Sequence, residues 1–177
     1  MIKIFYPYEY VDSVFVIDYE KLYQKGFKAV IFDIDNTLVH HGEDSTPEVD
    51  ELFRQIQKIG LKTFLLSNND EKRIKRFTKN IQTQFIADAA KPNPDSYLKA
   101  LDILGVKRDE AVFIGDQVFT DIRGANRSQI PSILVKFMRY DTETKIGKKR
   151  TVENFILKLY SLSKTYRNRI GDILREE

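Results

Sequence analysis

Short apolar runs alternate along this chain with segments whose apolar residues recur every three or four positions, and few architectures accept that alternation. Lys28-Ala29-Val30-Ile31-Phe32 is apolar on successive residues, as a strand covered on both faces requires. Leu61 to Leu66, Gln84 to Ala87, Ala111 to Ile114 and Ser132 to Val135 read as four further strands. Between them, Thr46-Pro47-Glu48 opens a helix that carries Val49, Leu52, Phe53 and Ile56 inward and stops at Gly60. Glu71 to Lys79 reads as the next helix. Asn93-Pro94 caps one in which Tyr97, Leu98, Leu101 and Leu104 share a face, ended by Gly105, and Asp121 to Arg127 is a short one. The expectation is a three-layer α/β sandwich around a five-stranded parallel sheet, with a core over about residues 27–136.

The flanks add to this core without suggesting a second domain, so residues 1–177 are read as one. In the N-terminal extension, 1–26, an apolar stretch from Val14 to Ile17 precedes a short helix capped by Asp18 and stopped by Gly26. Over 151–176, Val152, Phe155, Ile156, Leu159, Tyr166, Ile170 and Ile173 stand at helical spacing. That predicts an amphipathic C-terminal helix packed on the domain, with a membrane surface as the alternative for its basic face. From Lys136 to Glu177 there are eleven Lys and Arg against six Asp and Glu. Such a basic end can meet phosphates of lipid or nucleic acid, or simply be a solvated face. A 42% hydrophobic and 31% charged composition is that of a soluble globular chain, and no run of eighteen apolar residues suggests a membrane span. Absence of cysteine excludes disulfides, thiolate catalysis and zinc-thiolate sites. Met1 to Pro7 lacks the pattern of a secretory signal, so a cytoplasmic location is expected.

Four motifs fall where predicted strands end. Asp33-Ile34-Asp35-Asn36-Thr37 follows the first strand, Ser67-Asn68-Asn69 the second, Lys91-Pro92 lies beyond the third, and Gly115-Asp116 to Asp121 follows the fourth. The carboxyl ends of the strands form the ligand crevice of an open α/β sheet, so these motifs point to one site. A phosphate ester is anionic, and a carboxylate can approach it only when the charge is offset. Asp33 and Asp116, with Asp121 directly or through water, supply the hard oxygen ligands that magnesium takes. Asp33 can then attack phosphorus in line. Asp35, two residues on, is placed to protonate the leaving alkoxide and later to deprotonate water. That role asks for a carboxyl less ionised than its neighbours. Ser67 can bind phosphoryl oxygens, and Lys91 can stabilise the transferring group.

These residues resemble the haloacid dehalogenase (HAD) phosphatase superfamily in their order: Asp33-x-Asp35-x-Thr37, Ser67, Lys91, and Gly115-Asp116 with Asp121. The resemblance implies a Rossmann-like, HAD-type fold and a magnesium-dependent phosphomonoester hydrolase with an aspartyl-phosphate intermediate. It implies Asp33 as nucleophile and Asp35 as general acid/base, with Ser67 and Lys91 binding phosphate. Thr37 and Asn68 join the phosphate-binding set from the matched motifs. The metal site takes Asp33, Asp116, Asp121 and the backbone carbonyl of Asp35. The second aspartate of the pair argues for a phosphatase rather than a dehalogenase. A narrower likeness, carried by Pro7-Tyr8, Ser13-Val14, Ile17-Asp18, Asp35 to Leu38, Ser67 to Asn69 and Lys91-Pro92, is to the YqeG-like members of subfamily IIIA. That subfamily is related to phosphatidylglycerophosphate phosphatases.

About eight residues separate Leu38 from the helix start at Pro47, and Asn69 leads straight into a helix, too little chain for an inserted cap domain. A capless site accepts a large or surface-bound phosphate, such as a lipid at the inner membrane surface, or is closed by a second copy of the chain. His40 and His41 stand in that connection as flap residues. Two other readings stay open. One is a small-molecule or protein phosphatase using the same residues. The other is a binding module whose basic tail holds nucleic acid or a partner, against which the intact acidic set argues.

Overall fold

The computed structural model describes residues 2–138 and 148–176. Strands form at β1 (Glu9–Val11), β2 (Ala29–Phe32), β3 (Lys62–Leu66), β4 (Gln84–Ile86), β5 (Ala111–Gly115) and β6 (Ser132–Val135). Helices form at α1 (Tyr19–Gln24), α2 (Pro47–Ile59), α3 (Glu71–Phe77), α4 (Pro94–Leu104), α5 (Arg123–Arg127) and α6 (Lys148–Ser161). The strands make one sheet in the order β1-β6-β5-β2-β3-β4, every pair parallel.

The alternation of strand faces sorts the helices into two outer layers. Val30 and Phe32 of β2 lie in one buried cluster with Tyr19 and Leu22 of α1, Leu52, Phe53 and Ile56 of α2, and Ile74 and Phe77 of α3. Ala29 and Ile31 lie in the other, with Tyr97, Leu101 and Leu104 of α4 and Ala125 of α5. Helix boundaries follow the expected chemistry. Thr46 Oγ1 accepts the Val49 N–H at 3.3 Å, Pro47 fills the first turn, and α2 stops at Gly60 with a left-handed φ of 105°. Helix α3 ends at Phe77, two residues before the expected Lys79, and passes into a 3₁₀ turn over Thr78–Asn80.

Six strands replace the expected five. The additional strand, β1, belongs to the N-terminal extension and pairs with β6 at the sheet edge. Its three residues are too few to show a period, and its buried Glu9 reads as a loop residue. Glu9 is tolerated because its carboxylate accepts the N–H groups of Ile170 and Gly171 at 2.7 and 3.1 Å. The apolar stretch beyond it is a 3₁₀ turn, Val14–Val16, capped by Ser13.

The C-terminal helix expected over 151–176 is also corrected. Helix α6 spans Lys148–Ser161, and the chain beyond it turns, with φ 54° at Asn168 and 89° at Gly171. It crosses back over the N-terminal extension. The Arg169 guanidinium stacks 3.6 Å from the Tyr8 ring centroid and donates to the Tyr6 and Pro7 carbonyls, both at 3.0 Å. The Asp18 N–H donates to the Ile173 carbonyl at 2.8 Å, and Ile17 forms an antiparallel bridge with Leu174. This strap, rather than a helical stripe, buries Ile173 and partly buries Tyr166 and Ile170. Helix α6 itself buries Ile156 and Tyr160 against Tyr6, Val118, Ile122 and Leu134, while Val152 and Phe155 are exposed.

Residues 33–46 join β2 to α2 and residues 67–70 join β3 to α3, with no inserted domain in either connection. Among the described residues, no helix is long and apolar enough to cross a membrane.

Phe32 is fully buried, its ring 5.3 Å from that of Phe53 and 6.4 Å from that of Tyr19. Phe32→Ala is expected to cost about 3–5 kcal/mol, read as a lower urea midpoint with unchanged slope. A loss below about 1 kcal/mol would contradict this packing.

Candidate active site

Parallel pairing brings the ends of β2, β3 and β5 to one rim of the sheet, and the motif residues follow them there. Asp33 continues the ladder by one step, its N–H donating to the Ile114 carbonyl at 2.9 Å. Its buried carboxylate is gripped on one oxygen, with Lys91 Nζ 2.6 Å from Asp33 Oδ1. The same ammonium lies 2.7 Å from Asp121 Oδ1. Thr37 Oγ1 stands 3.3 Å from Asp33 Oδ2 and 3.4 Å from Asp116 Oδ1, so one buried hydroxyl bridges the two carboxylates. Asp33, Asp116 and Asp121 each place an oxygen within 4.8 Å of the others. Asp121 can fold back to this point because residue 115 is glycine: a Cβ there would stand 2.5 Å from Asp121 Cγ. The Gln117 N–H holds Asp121 Oδ2 at 3.0 Å.

Ser67 and Asn68 sit beside this group with their hydrogen bonds partly committed. Ser67 Oγ accepts the Asn69 N–H at 3.1 Å and Asn69 Nδ2 at 2.9 Å, which leaves its own proton as its remaining capacity. Asn68 Oδ1 accepts the Lys91 N–H at 2.7 Å, so the Asn68 amide acts on the lysine that reaches Asp33. Asp35 faces a different set of partners. Its oxygens accept from Asn69 Nδ2 at 2.7 Å, Arg73 Nη2 at 3.0 Å and the Gly42 N–H at 3.0 Å. Its carboxylate lies outside the Asp33–Asp116–Asp121 group. His41 Nδ1 is 3.5 Å from Asp35 Oδ2, and the flap around it is tied to α3 by Arg73 on the Glu43 carbonyl and Arg76 on the Gly42 carbonyl, at 2.6 and 2.7 Å.

The proton affinities run opposite to the sequence expectation. Burial pushes the Asp33 carboxyl up to about 6, with Lys91 opposing and Asp121 adding to the rise. Burial, then the charges of Asp121 and Asp33, push Asp116 up to about 8 despite Arg150 beside it. Burial also raises Asp35, but the Gly42 N–H, the Asn69 amide and Arg73 together outweigh it and hold the group below its ordinary value. Asp35, expected to be the less ionised carboxyl, is thus the more readily ionised one. Its partners are charged or fixed donors, which a sequence does not place.

Three buried carboxylates against one buried ammonium leave an excess of negative charge in a low-dielectric place, and all the facing ligand atoms are hard oxygens. That donor set fits a magnesium-like divalent cation held by Asp33, Asp116 and Asp121.

Sequence reasoning did not find Arg150, Glu153 or Arg73 as part of this neighbourhood, and it placed Asn69 at the rim only as the end of the Ser67-Asn68-Asn69 motif, without a role. The Arg150 guanidinium forms an ion pair with Asp116 Oδ2 and donates to the Asp116 carbonyl at 2.8 Å. The only signal in the sequence is a basic run, Lys148-Lys149-Arg150, which does not say which member turns inward.

The sheet order and this rim of carboxylates define a haloacid dehalogenase-like hydrolase, and the chain belongs to that family. The family model described as "Hydrolase: haloacid dehalogenase-like hydrolase" matches residues 41–129, half of the chain. Within the family, the chain is similar to "Probable phosphatase YqeG" of Bacillus subtilis (strain 168), at 38% identity over 134 residues, 75% of this chain and 78% of that one. In fold it is similar to a crystal structure of an uncharacterized protein from Listeria monocytogenes serotype 4b. The TM-score is 0.54 at 20% identity, over 77% of this chain and 100% of that one. It is likewise similar to NagD from E. coli K-12, with a TM-score of 0.53 at 15% identity, over 68% and 94%.

A carboxyl whose folded pKa is raised binds protons more tightly in the native state, so its contribution to stability falls as pH rises from its unfolded value near 3.8 toward the folded one. In EDTA, Asp116→Asn is therefore expected to melt above the wild type at pH 8, with the gap narrowing by pH 5 and closing only near the unfolded value. Equal melting temperatures at both pH values would contradict the charge excess.

Proposed function

We propose that this chain hydrolyses phosphate monoesters in a magnesium-dependent reaction through an aspartyl-phosphate on Asp33. The observation that carries the reading is the division of labour on that carboxylate: Oδ1 is pinned by Lys91, and Oδ2 faces Asp116 Oδ1 across Thr37. A divalent ion held by Asp33, Asp116 and Asp121, with the Asp35 carbonyl, would offset the charge of the phosphoryl group and so let an anionic nucleophile approach. Lys91 keeps Asp33 oriented and stays positively charged, because Asp121 and Asp33 outweigh the effect of its burial. Ser67 offers its free proton to a phosphoryl oxygen, and Thr37 fixes the mutual orientation of the two carboxylates.

In the first step an Asp33 oxygen bonds to phosphorus as the ester P–O bond breaks, and the alkoxide takes a proton from Asp35. In the second, the Asp35 carboxylate accepts a proton from water as the water oxygen bonds to phosphorus, releasing phosphate and restoring Asp33. The contacts on Asp35 set it for the second step. Loosening of the Gly42 and Arg73 contacts is what would load it with a proton for the first.

For the substrate we favour phosphatidylglycerophosphate at a membrane surface. The absence of an inserted domain over the rim, the basic C-terminal segment and the likeness to the YqeG-like subfamily support it. A soluble small-molecule or protein phosphatase with the same residues is the second reading. With magnesium, phosphate release from phosphatidylglycerophosphate vesicles is expected to exceed that from sugar phosphates and nucleotides, and Asp33→Asn is expected to lower it at least about 10³-fold. Preference for the soluble esters would remove the lipid assignment, and undiminished turnover by Asp33→Asn would remove the mechanism.

A further inference from the structure

The loop after β5 carries two of the three clustered carboxylates, Asp116 and Asp121, yet it is held from outside the βαβ core. Arg150, in the first turn of α6, spans two points of Asp116: Nη1 donates to its backbone carbonyl at 2.8 Å, and Nη2 pairs with its Oδ2. The guanidinium is itself fixed by Glu153 Oε2, 2.9 Å from Nη1, and lies 4.2 Å from the Phe137 ring centroid. The other oxygen of Glu153, which is 3% exposed, accepts the N–H groups of Val118 and Phe119 at 3.0 and 3.3 Å. Those two N–H groups open the π-helical turn Val118–Ile122 that carries Asp121. One charged pair on α6 therefore grips both acidic positions of the loop.

The grip also leaves the inner face of the site clear. Arg150 takes Asp116 Oδ2, whereas the oxygen facing Thr37 and, beyond it, Asp33 is Oδ1. With all three carboxylates ionised, Lys91 and Arg150 still leave one net negative charge, so the guanidinium lessens the repulsion without removing the attraction for a cation. We infer that Arg150 and Glu153 are positioning residues for a divalent cation at Asp33, Asp116 and Asp121, so that docking of α6 sets the metal affinity of the site. The inference rests on the metal reading given above. A guanidinium that instead competed with the ion for Asp116 would give the opposite sign on removal.

The probe is Mn²⁺, titrated into the full-length chain and followed by the electron paramagnetic resonance signal of the free ion, without substrate. Arg150→Ala and Glu153→Gln are expected to weaken Mn²⁺ binding by about tenfold or more, the range seen when outer partners of metal ligands are removed. Arg150→Lys keeps the charge but cannot span the carbonyl and the carboxylate together, so it should recover only part of the loss. Lys158→Ala, on the exposed face of α6, should bind as the wild type does. Circular dichroism melts identify any variant that does not fold; if Arg150→Ala is one, Arg150→Lys and Glu153→Gln decide. Unchanged affinity in the folded variants would overturn the positioning role, and tighter binding would make Arg150 a competitor. A wild type that binds no Mn²⁺ would instead overturn the metal reading beneath it.

Discussion

The structure turns on how three carboxylates come to be buried within 4.8 Å of one another. At an effective dielectric of about 20, each pair of full charges at that separation repels by about 3–4 kcal/mol, before any cost of desolvation. The surrounding residues read as answers to that repulsion. Lys91 places one ammonium between Asp33 and Asp121. Asn68 holds the Lys91 backbone, Gly115 makes room for Asp121, and Arg150 meets Asp116 from a helix far along the chain. The remaining negative charge is the property that would attract a divalent cation to these oxygens.

The sheet supplies the convergence. Because all strands run parallel, each motif that follows a strand emerges at the same rim, and in-register pairing of β2 with β3 and β5 sets their spacing. The connections after β2 and β3 are short and carry no inserted domain, and the flap over residues 40–44 is held by arginines of α3.

Much of this was legible in the residues themselves. Ala29 to Phe32 reads as a two-faced strand because every residue is apolar, and Thr46, Pro47 and Gly60 mark a helix by capping chemistry that acts locally. The acidic motifs were legible because their positions follow strands. What was hidden depends on contacts between distant segments. Strand β1 is three residues long with a buried Glu9 that the distant N–H groups of residues 170 and 171 help make tolerable. The apolar spacing over 162–176 imitates a helix, but the chain there is a strap that Arg169 fastens to Tyr6, Pro7 and Tyr8, burying Ile173 and partly burying Tyr166 and Ile170. The ionisation of Asp35 was misjudged for the same reason, since Arg73 and the Gly42 N–H reach it through tertiary structure.

The most direct test of the proposed metal site is crystallographic: an anomalous difference map from crystals of this chain grown with Mn²⁺. The account predicts one strong peak about 2.1 Å from an oxygen of Asp33 and of Asp116, on the Thr37 side, with Arg150 still on the far oxygen of Asp116. A map without a peak between those two residues, or with the ion bound elsewhere, would contradict it.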